Sequence, residues 1–471
     1  MVGNKDYEGI DGFGMSSYQD VADLNKALAA GYDIPATSGG VSGSALRVES
    51  LESSLKVITF QMQHIKFWQK IPKLPAFSTV EEYNRLTSYG SDAGAFTPEG
   101  ELGEYDDANY SRHVSLVKYM QTVRKVSHPM TLVRTAHGDV IANEVRNGIM
   151  WLLGKMEFYL YWGDNTLRFN YPTNEGYEFS GMNKLIDSSM VLDAKGDPLT
   201  EDILETSSNM VLENYGLPTD ILIGTRPLAD LAKVMFPKER IIVPYKEGQV
   251  GVPLNTFASQ AGVLAFNPDV FLKKRPAPSV ATSSKAPPAP TSITATLGAG
   301  SGDWTKTNNG YGTYYYAATF GNRYGESAPC TAAFNAGAVA TDTANIAVVV
   351  TNPAFASSDY RPDYVNIYRC VANGGASAIR YLVYSGAVAT QASAGTTTWT
   401  DYNSICSNCH KVFIGEMTPQ ILAFKQLAPM MKMDLAVIEP SIRWLQLLYG
   451  TPQMYATKKW VIVKNIGEAI V

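Results

Sequence analysis

Cys406-Ser-Asn-Cys409-His410 has the spacing that attaches a c-type haem: two thiols across two residues, then a histidine for the iron. Attachment of that kind needs export, and Met1 to Tyr18 lacks the basic stretch and apolar stretch of a secretion signal. A chance match or a short zinc or thiol knuckle is the plainer expectation. Cys330 and Cys370 are the only other cysteines. A thiolate tetrad would suit zinc, but one C-x-x-C with two scattered partners reads better as buried structural thiols. Hydrolytic chemistry finds no footing. Gly40-Val-Ser-Gly-Ser44 and Gly298-Ala-Gly-Ser-Gly302 miss the nucleophile-elbow spacing, and neither a P-loop nor H-E-x-x-H occurs. His137-Gly-Asp139 reads as a turn entering a helix. The sequence gives no reason to expect catalytic residues, a cofactor or a bound metal.

The most concentrated charge is acidic. Ser91 to Asn109 holds Asp92, Glu99, Glu101, Glu104, Asp106 and Asp107, with no Lys or Arg. The D-x-D-x-D spacing of a calcium loop is missing, so a solvated or partner-facing loop is expected. Ser111 to Val126 follows with strand composition, well beyond the usual ~5–6 residues. Both of its faces are mixed, with Arg112, Leu116, Lys118 and Arg124 on one and His113, Val117, Tyr119 and Lys125 on the other. A core strand would show at least one apolar face. With Thr79 to Tyr89 pairing back, the segment predicts a long two-stranded hairpin with an acidic tip. Such an arm is marginal alone and needs a neighbour to lie on.

These features must be positioned by a chain of 471 residues, enough for two or three domains. Hydrophobic residues at 45% and charged residues at 18% are ordinary for a folded protein. A net charge of −5 argues against wrapping nucleic acid, which needs a basic face. The longest apolar stretch, Ile141 to Trp162, is interrupted by Asn143, Glu144, Arg146, Asn147, Lys155 and Glu157, so no membrane span is expected.

Arg275 to Ser292 has linker composition, with five prolines among Ala, Ser and Thr. Ile293 to about Ile405 then carries short strand-like runs at Gly312–Thr319, Ile346–Thr351, Tyr364–Val371, Tyr381–Tyr384 and Thr396–Thr400. Gly321-Asn322 and Asn373-Gly374-Gly375 are the turn signals between them. This predicts an all-β sandwich of immunoglobulin type, inserted into a host domain that resumes near Lys411. Before the linker the chain is mixed. Leu51, Leu55, Ile58, Met62 and Ile65 predict one helix from Ala45 to about Lys70. Val140 to Tyr161 predicts a second, carrying Ile149, Leu152, Leu153 and Met156 on a wide apolar surface buried on more than one side. Thr200 caps a third that Gly216 and Pro218 close. Thr219–Ile223 is a strand, Pro227–Val234 a helix, and Leu435–Ile438, Ile442–Leu448 and Trp460–Lys464 are strands.

That order of parts resembles the Hong Kong 97-type major capsid protein of tailed phages. Gly148-Ile-Met-Trp-Leu-Leu-Gly-Lys155 with Tyr161-Trp-Gly-Asp164, and Leu199-Thr-Glu-Asp-Ile-Leu204 with Gly216-Leu-Pro-Thr219, are similar to phage capsid wording. The resemblance covers roughly residues 35–275 and 411–471. Asn322-Arg-Tyr-Gly-Glu-Ser-Ala-Pro329 is similar to strand ends of immunoglobulin-like insertions on phage capsid and tail proteins. The resemblance implies an α+β fold divided into an N-terminal arm with helix (1–77), an E-loop hairpin (78–130) and a peripheral domain with spine helix (131–199, helix 140–162). Next come an axial domain (200–275), the Pro-rich linker (276–292), the inserted immunoglobulin-like domain (293–405), an axial return (406–433) and peripheral C-terminal strands (434–471).

The implied function is that of a non-enzymatic capsid subunit, forming hexamers and pentamers of an icosahedral shell that encloses DNA without reading its sequence. Its site is then a set of surfaces: the acidic tip, the E-loop strand residues Arg112, Lys118, Arg124 and Lys125, and the spine-helix core. No charged helical scaffolding segment precedes the arm, which suggests a separate scaffolding protein beside portal and decoration proteins. The expected location is the virion capsid, assembled in the host cytoplasm, with no membrane partner. Two rivals remain. One is another virion protein, such as a tail tube or sheath. The other is a carbohydrate-binding adhesin stacking sugars on Trp304, Tyr311, Tyr314 and Tyr316, although aromatics alternating along a strand are more often core.

Overall fold

The computed structural model describes residues 57–91, 96–103, 105–133, 135, 138–166, 176–235, 254–330, 334–354, 360–388 and 394–469. The chain divides into two compact units, residues 1–58 with 132–140 and residues 59–131 with 141–471. Apart from the first residue of the long helix, the elements below belong to the second unit.

Short strands buried on both faces build its centre. Asp220–Ile223 is buried at all four positions and Trp460–Ile466 at six of seven, as strands covered on both sides must be. In chain order this sheet contains Val191–Asp193 (β5), Asp220–Ile223 (β6), Thr256–Ser259 (β7), Gly262–Pro268 (β8), His410–Gly415 (β17) and Trp460–Ile466 (β20), with spatial order β5-β20-β17-β6-β8-β7. A second sheet is built from long strands. Lys73–Pro75 (β1), Leu422–Asp434 (β18), Ser441–Met454 (β19) and Lys118–Ser127 (β4) lie in the order β1-β18-β19-β4. Val80–Ser88 (β2) and Asn109–Leu116 (β3) pair only with each other.

Between β8 and β17 the chain forms two further sheets. One contains Gly312–Asn322 (β10), Gly325–Glu326 (β11), Phe334–Val339 (β12), Tyr364–Arg369 (β14) and Tyr381–Ala387 (β15). The other contains Ser292–Ala299 (β9), Ala344–Asn352 (β13) and Gly395–Asp401 (β16). Alternate residues of β13 are buried, and Ile346, Val348 and Val350 join Ile293, Phe320, Val365 and Ile367 in a core separate from that of the body. Ser292–Ala299 and Phe334–Val339 escaped the sequence reading because Ala, Gly and Thr dominate them. Gly321-Asn322 proves to be the end of a strand, paired with Gly325-Glu326; the reversal falls on Arg323-Tyr324. The Asn373 turn is as expected, with φ near +58° there and +78° at Gly375.

The Pro-rich segment is not a free linker. Leu382 N–H donates to Arg275 O, Ala277 N–H to Arg380 O and Thr282 N–H to Glu326 O, each at 2.9 Å, so it lies along the sandwich. Leu435–Ile438 is not a strand but the turn between β18 and β19, with Val437 and Ile438 mostly exposed. Glu201–Glu213 (here αB) is capped as expected, the Thr200 hydroxyl accepting from Ile203 N–H, but the left-handed residue closing it is Tyr215 rather than Gly216. No helix among the described residues is long and apolar enough to cross a membrane.

The spine helix Val140–Trp162 (αA) buries Leu152, Leu153, Met156, Leu160 and Tyr161 in the body core, with Ile149 half-buried against it. A side chain on Gly148 would sit 2.1 Å from Gln446 Oε1 of β19, and one on Gly154 would sit 2.5 Å from Phe60 Cζ. The C-terminal sheet therefore does approach Gly148, through a side chain, whereas Gly154 makes room for Phe60. Leu152→Ala, at a fully enclosed site, should lower stability by about 2–5 kcal/mol in denaturant unfolding. Gly154→Leu should reduce soluble yield because Phe60 is itself packed edge-on against Phe271; yield equal to the parent would show that Phe60 can vacate the space.

The single helix expected over Ala45–Lys70 is contradicted where it can be seen. Residues 57–61 are not helical, and only the turns Met62–His64 and Phe67–Lys70 are wound. The cause is a buried acid from αA. Glu157 Oε1 accepts from Lys66 N–H at 2.7 Å and Phe67 N–H at 2.6 Å, and Oε2 from Trp68 N–H at 2.8 Å. Three backbone donors that a continuous helix would satisfy internally are thus satisfied by one carboxyl group, which starts a fresh turn at Phe67. Burial disfavours the charge of this group, and so does the Asp269 carboxyl that lies beside it. Tyr161 OH donates to Asp269 Oδ2 at 2.8 Å.

Burial and the Asp269 carboxyl push Glu157 up to about 8. A folded-state value above the unfolded one means that the native chain binds the extra proton. Stability from this group is full below the unfolded carboxylate range and declines as pH rises toward 8. Glu157→Gln should flatten that part of the pH–stability profile, and an unchanged profile would show that Glu157 does not bind the extra proton. Glu157→Ala strands three buried donors and should cost about 3–5 kcal/mol.

Candidate assembly surfaces

The hairpin is rooted at one end and bare at the other. β2 and β3 run in register from Val80↔Leu116 to Leu86↔Tyr110, with a bulge before Ser88↔Asn109. At the root, Tyr83 stacks on His113 and meets Tyr455 edge-on at 5.0 Å, while Arg85 Nη2 donates to Met454 O at 2.8 Å. Near the base, Val114 and Leu116 are more than half exposed; farther out Tyr110 is mostly exposed, and at the tip Phe96, Leu102 and Tyr105 are essentially uncovered. Among the acids, Glu99, Glu101, Asp106 and Asp107 are exposed. Asp106 takes Ser91 N–H on both oxygens at 2.7–2.8 Å and so closes the neck of the loop. Asp92 and Glu104 lie outside the described residues.

The strand expected from Ser111 to Val126 is two strands. Val117 is buried, its N–H donates to Thr79 O, and there the chain leaves β3 for β4, which pairs with β19 from Lys118↔Gly450 to Ser127↔Ser441. Both faces read as mixed because two environments had been joined into one strand. Of the four basic residues, only Arg112 stands on the hairpin, 3.4 Å from Glu82 in an exposed pair of little energetic weight. Lys118 Nζ donates to Gly176 O, Arg124 lies 3.5 Å from Glu144 of αA, and Lys125 lies 2.6 Å from Glu439.

The sandwich is fastened to the body by polar groups that composition did not reveal. Arg369 is fully buried, with Nη1 on Asp401 Oδ2 at 2.5 Å and Nη2 on Asn403 Oδ1 at 2.6 Å and Ile405 O at 3.0 Å. Burial opposes its charge, but the Asp401 carboxylate outweighs burial and holds it firmly protonated. Asn309 Oδ1 accepts from the same guanidinium and from Ser407 N–H. Buried Lys306 reaches across to Asp193 of β5 at 3.1 Å, and Asn465 of β20 takes Cys406 N–H at 2.8 Å. Lone polar residues in strand-like runs gave no hint of this network; the clustering of Asn308, Asn309, Asn403 and Asn408 at left-handed or turn positions is the nearest signal.

Trp304, Tyr314 and Tyr316 are fully buried and only Tyr311 is exposed, so the stacking surface imagined for sugars is core. All four cysteines are unbridged, and the Cys406 and Cys409 thiols hydrogen-bond each other. Among the described residues no group of three or more His, Cys, Asp and Glu is placed to hold a metal ion.

No family model matches the sequence. A chain of Enterococcus phage phiEF24C is 29% identical over 448 residues, 94% of each chain. The major capsid proteins of Staphylococcus phages S25-3 and K are each 26% identical over 457 residues, 94% of this chain and 95% of theirs. Among solved structures, the capsid of a native GTA particle is similar at TM-score 0.47 and 6% identity, covering 91% of this chain and 97% of that one. Gordonia phage Cozz gives TM-score 0.45 and 10% identity, covering 92% and 96%. Over 94% of its length, the chain is similar to the major capsid proteins of these phages.

Proposed function

We propose that the chain is the shell-forming subunit of a phage virion, assembling with copies of itself into hexamers and pentamers around the DNA. The observation that carries this reading is the β2–β3 hairpin, whose exposed apolar side chains and acidic tip nothing in the described chain covers. A second copy supplies the missing surface, with the acids meeting its basic groups. The mildly acidic chain encloses DNA without gripping it. Separate scaffolding, portal and decoration proteins complete assembly in the host cytoplasm, and the sandwich is an immunoglobulin-like module facing outward. Negative-stain microscopy of the purified chain should show closed shells; tubes or unassembled protein would reject the reading.

Glu99, Glu101 and Glu104 changed together to Gln should leave unfolding unaltered and weaken assembly, which should itself decline at high salt in the parent. Light scattering that shows equal assembly of both proteins across ionic strengths would reject a docking role for the tip.

Replacing residues 276–404 by a short flexible linker should leave a soluble body that still assembles, because the sandwich has its own core. Some stability should be lost with the Lys306–Asp193 and Asn465 contacts. An insoluble product, with point variants of the sandwich core remaining soluble, would show that the body depends on it.

A further inference from the structure

A cavity of about 330 Å³ lies where the end of αA, residues 272–275, the β14–β15 side of the sandwich and the start of β17 meet. Its lining is cationic on balance, with Lys184, Lys273, Lys274, Arg275 and Lys411 against Asp164 and Glu178. Lys184 is paired with Asp164 at 3.0 Å and Lys274 with Glu468. Among the described residues, no acid pairs with Lys411. Its Nζ donates to Asn183 Oδ1 at 2.8 Å and stands 5.4 Å from the centre of the Trp162 ring. Burial, then the charges of Lys464 and Lys184, bring it down to about 8. The indole Nε1 of Trp162 is also buried without a hydrogen-bond partner, and so are both ring nitrogens of His410 on another wall. Burial and Lys274 lower His410 to about 4, which leaves it neutral with one N–H to give.

An ammonium and an indole N–H are donors only. Buried donors are nearly always satisfied, so a site that gathers orphaned donors beside a half-buried cation lacks an acceptor, and preferably a negative one. The acids present do not supply it. Asp164 is engaged by Lys184, and Glu178, which burial pushes up to about 7, is partly protonated near neutrality.

We infer that this cavity binds a small phosphate-class oxyanion, held by Lys411 Nζ and Trp162 Nε1 where the sandwich meets the body. The inference does not depend on the shell-forming reading. Because the anion needs protonated Lys411, its affinity is retained below about pH 8 and falls above it.

The test is titration calorimetry of the full chain with inorganic phosphate, at ionic strength held constant with chloride. Saturable binding is expected in the parent and in Lys411→Arg. Lys411→Met should bind at least about tenfold more weakly, the scale of one lost charge-assisted hydrogen bond. Trp162→Phe keeps a ring but removes the donor, so it should weaken binding even if Lys411→Met fails to fold. A DNA duplex, too wide to enter, should not displace phosphate. Absence of saturable binding, equal affinity in the Trp162→Phe and parent proteins, or displacement by duplex DNA would overturn the assignment.

Discussion

The body depends on how one buried carboxyl group is satisfied. Glu157 sits in the middle of αA with no exposed surface, where an unpaired charge would be prohibitive. It is tolerated because it gathers the three N–H groups of Lys66, Phe67 and Trp68, and because burial and the neighbouring Asp269 carboxyl raise it so that it readily takes up a proton. Chain entering the core, the spine helix and the end of β8 thereby meet at one point. The apolar packing around it, Phe67 on Tyr161 at 5.0 Å and Tyr161 on Phe413 at 5.7 Å, follows from that junction. Apolar contact alone has no direction; the hydrogen bonds set the angle at which residues 66–70 pass αA.

The same logic recurs where the sandwich joins the body. Two separate apolar cores meet across a seam that buried Lys306 crosses to Asp193 and Asn465 to Cys406 and Ser404, with Asn309 reaching Ser407. Arg369, Asp401 and Asn403 back this side of the sandwich. Greasy contact there would let the modules slide. These hydrogen bonds fix one relative placement, because any displacement leaves further buried donors unpaired.

How much of this was legible follows from which signals are periodic. αA and αB were read nearly to the residue because apolar spacing, Thr200 and the closing Gly-Leu-Pro are local. The insertion was read from a change in composition, and strands β13 to β16 from β-branched runs. The helix over Ala45–Lys70 was misread because Leu51, Leu55, Ile58, Met62 and Ile65 keep helical spacing, while the group that interrupts it, Glu157, lies some ninety residues away. Ser111–Val126 was read as one strand because composition cannot register a change of partner at Val117. Of the expected surface residues, the described tip acids and Arg112 stand on the hairpin, but Lys118, Arg124 and Lys125 belong to the four-stranded sheet. Networks such as Arg369's are invisible in principle to a reading by period, since their members are single residues scattered along the chain.

Those two kinds of feature divide the work of a shell subunit. A two-stranded ribbon has no second layer, so little of the apolar surface on β2 and β3 is removed from water within its own chain. Its root is fixed by Arg85, Tyr83 and Tyr455, while its outer half gains stability only on covering. The body is the opposite: its junctions are buried and directional before any partner subunit arrives. A rigid body with an uncovered arm couples ordering of the arm to contact, so the free energy of covering it enters association directly. Had the arm been folded back and buried in its own chain, that same apolar surface would stabilise the monomer and oppose assembly.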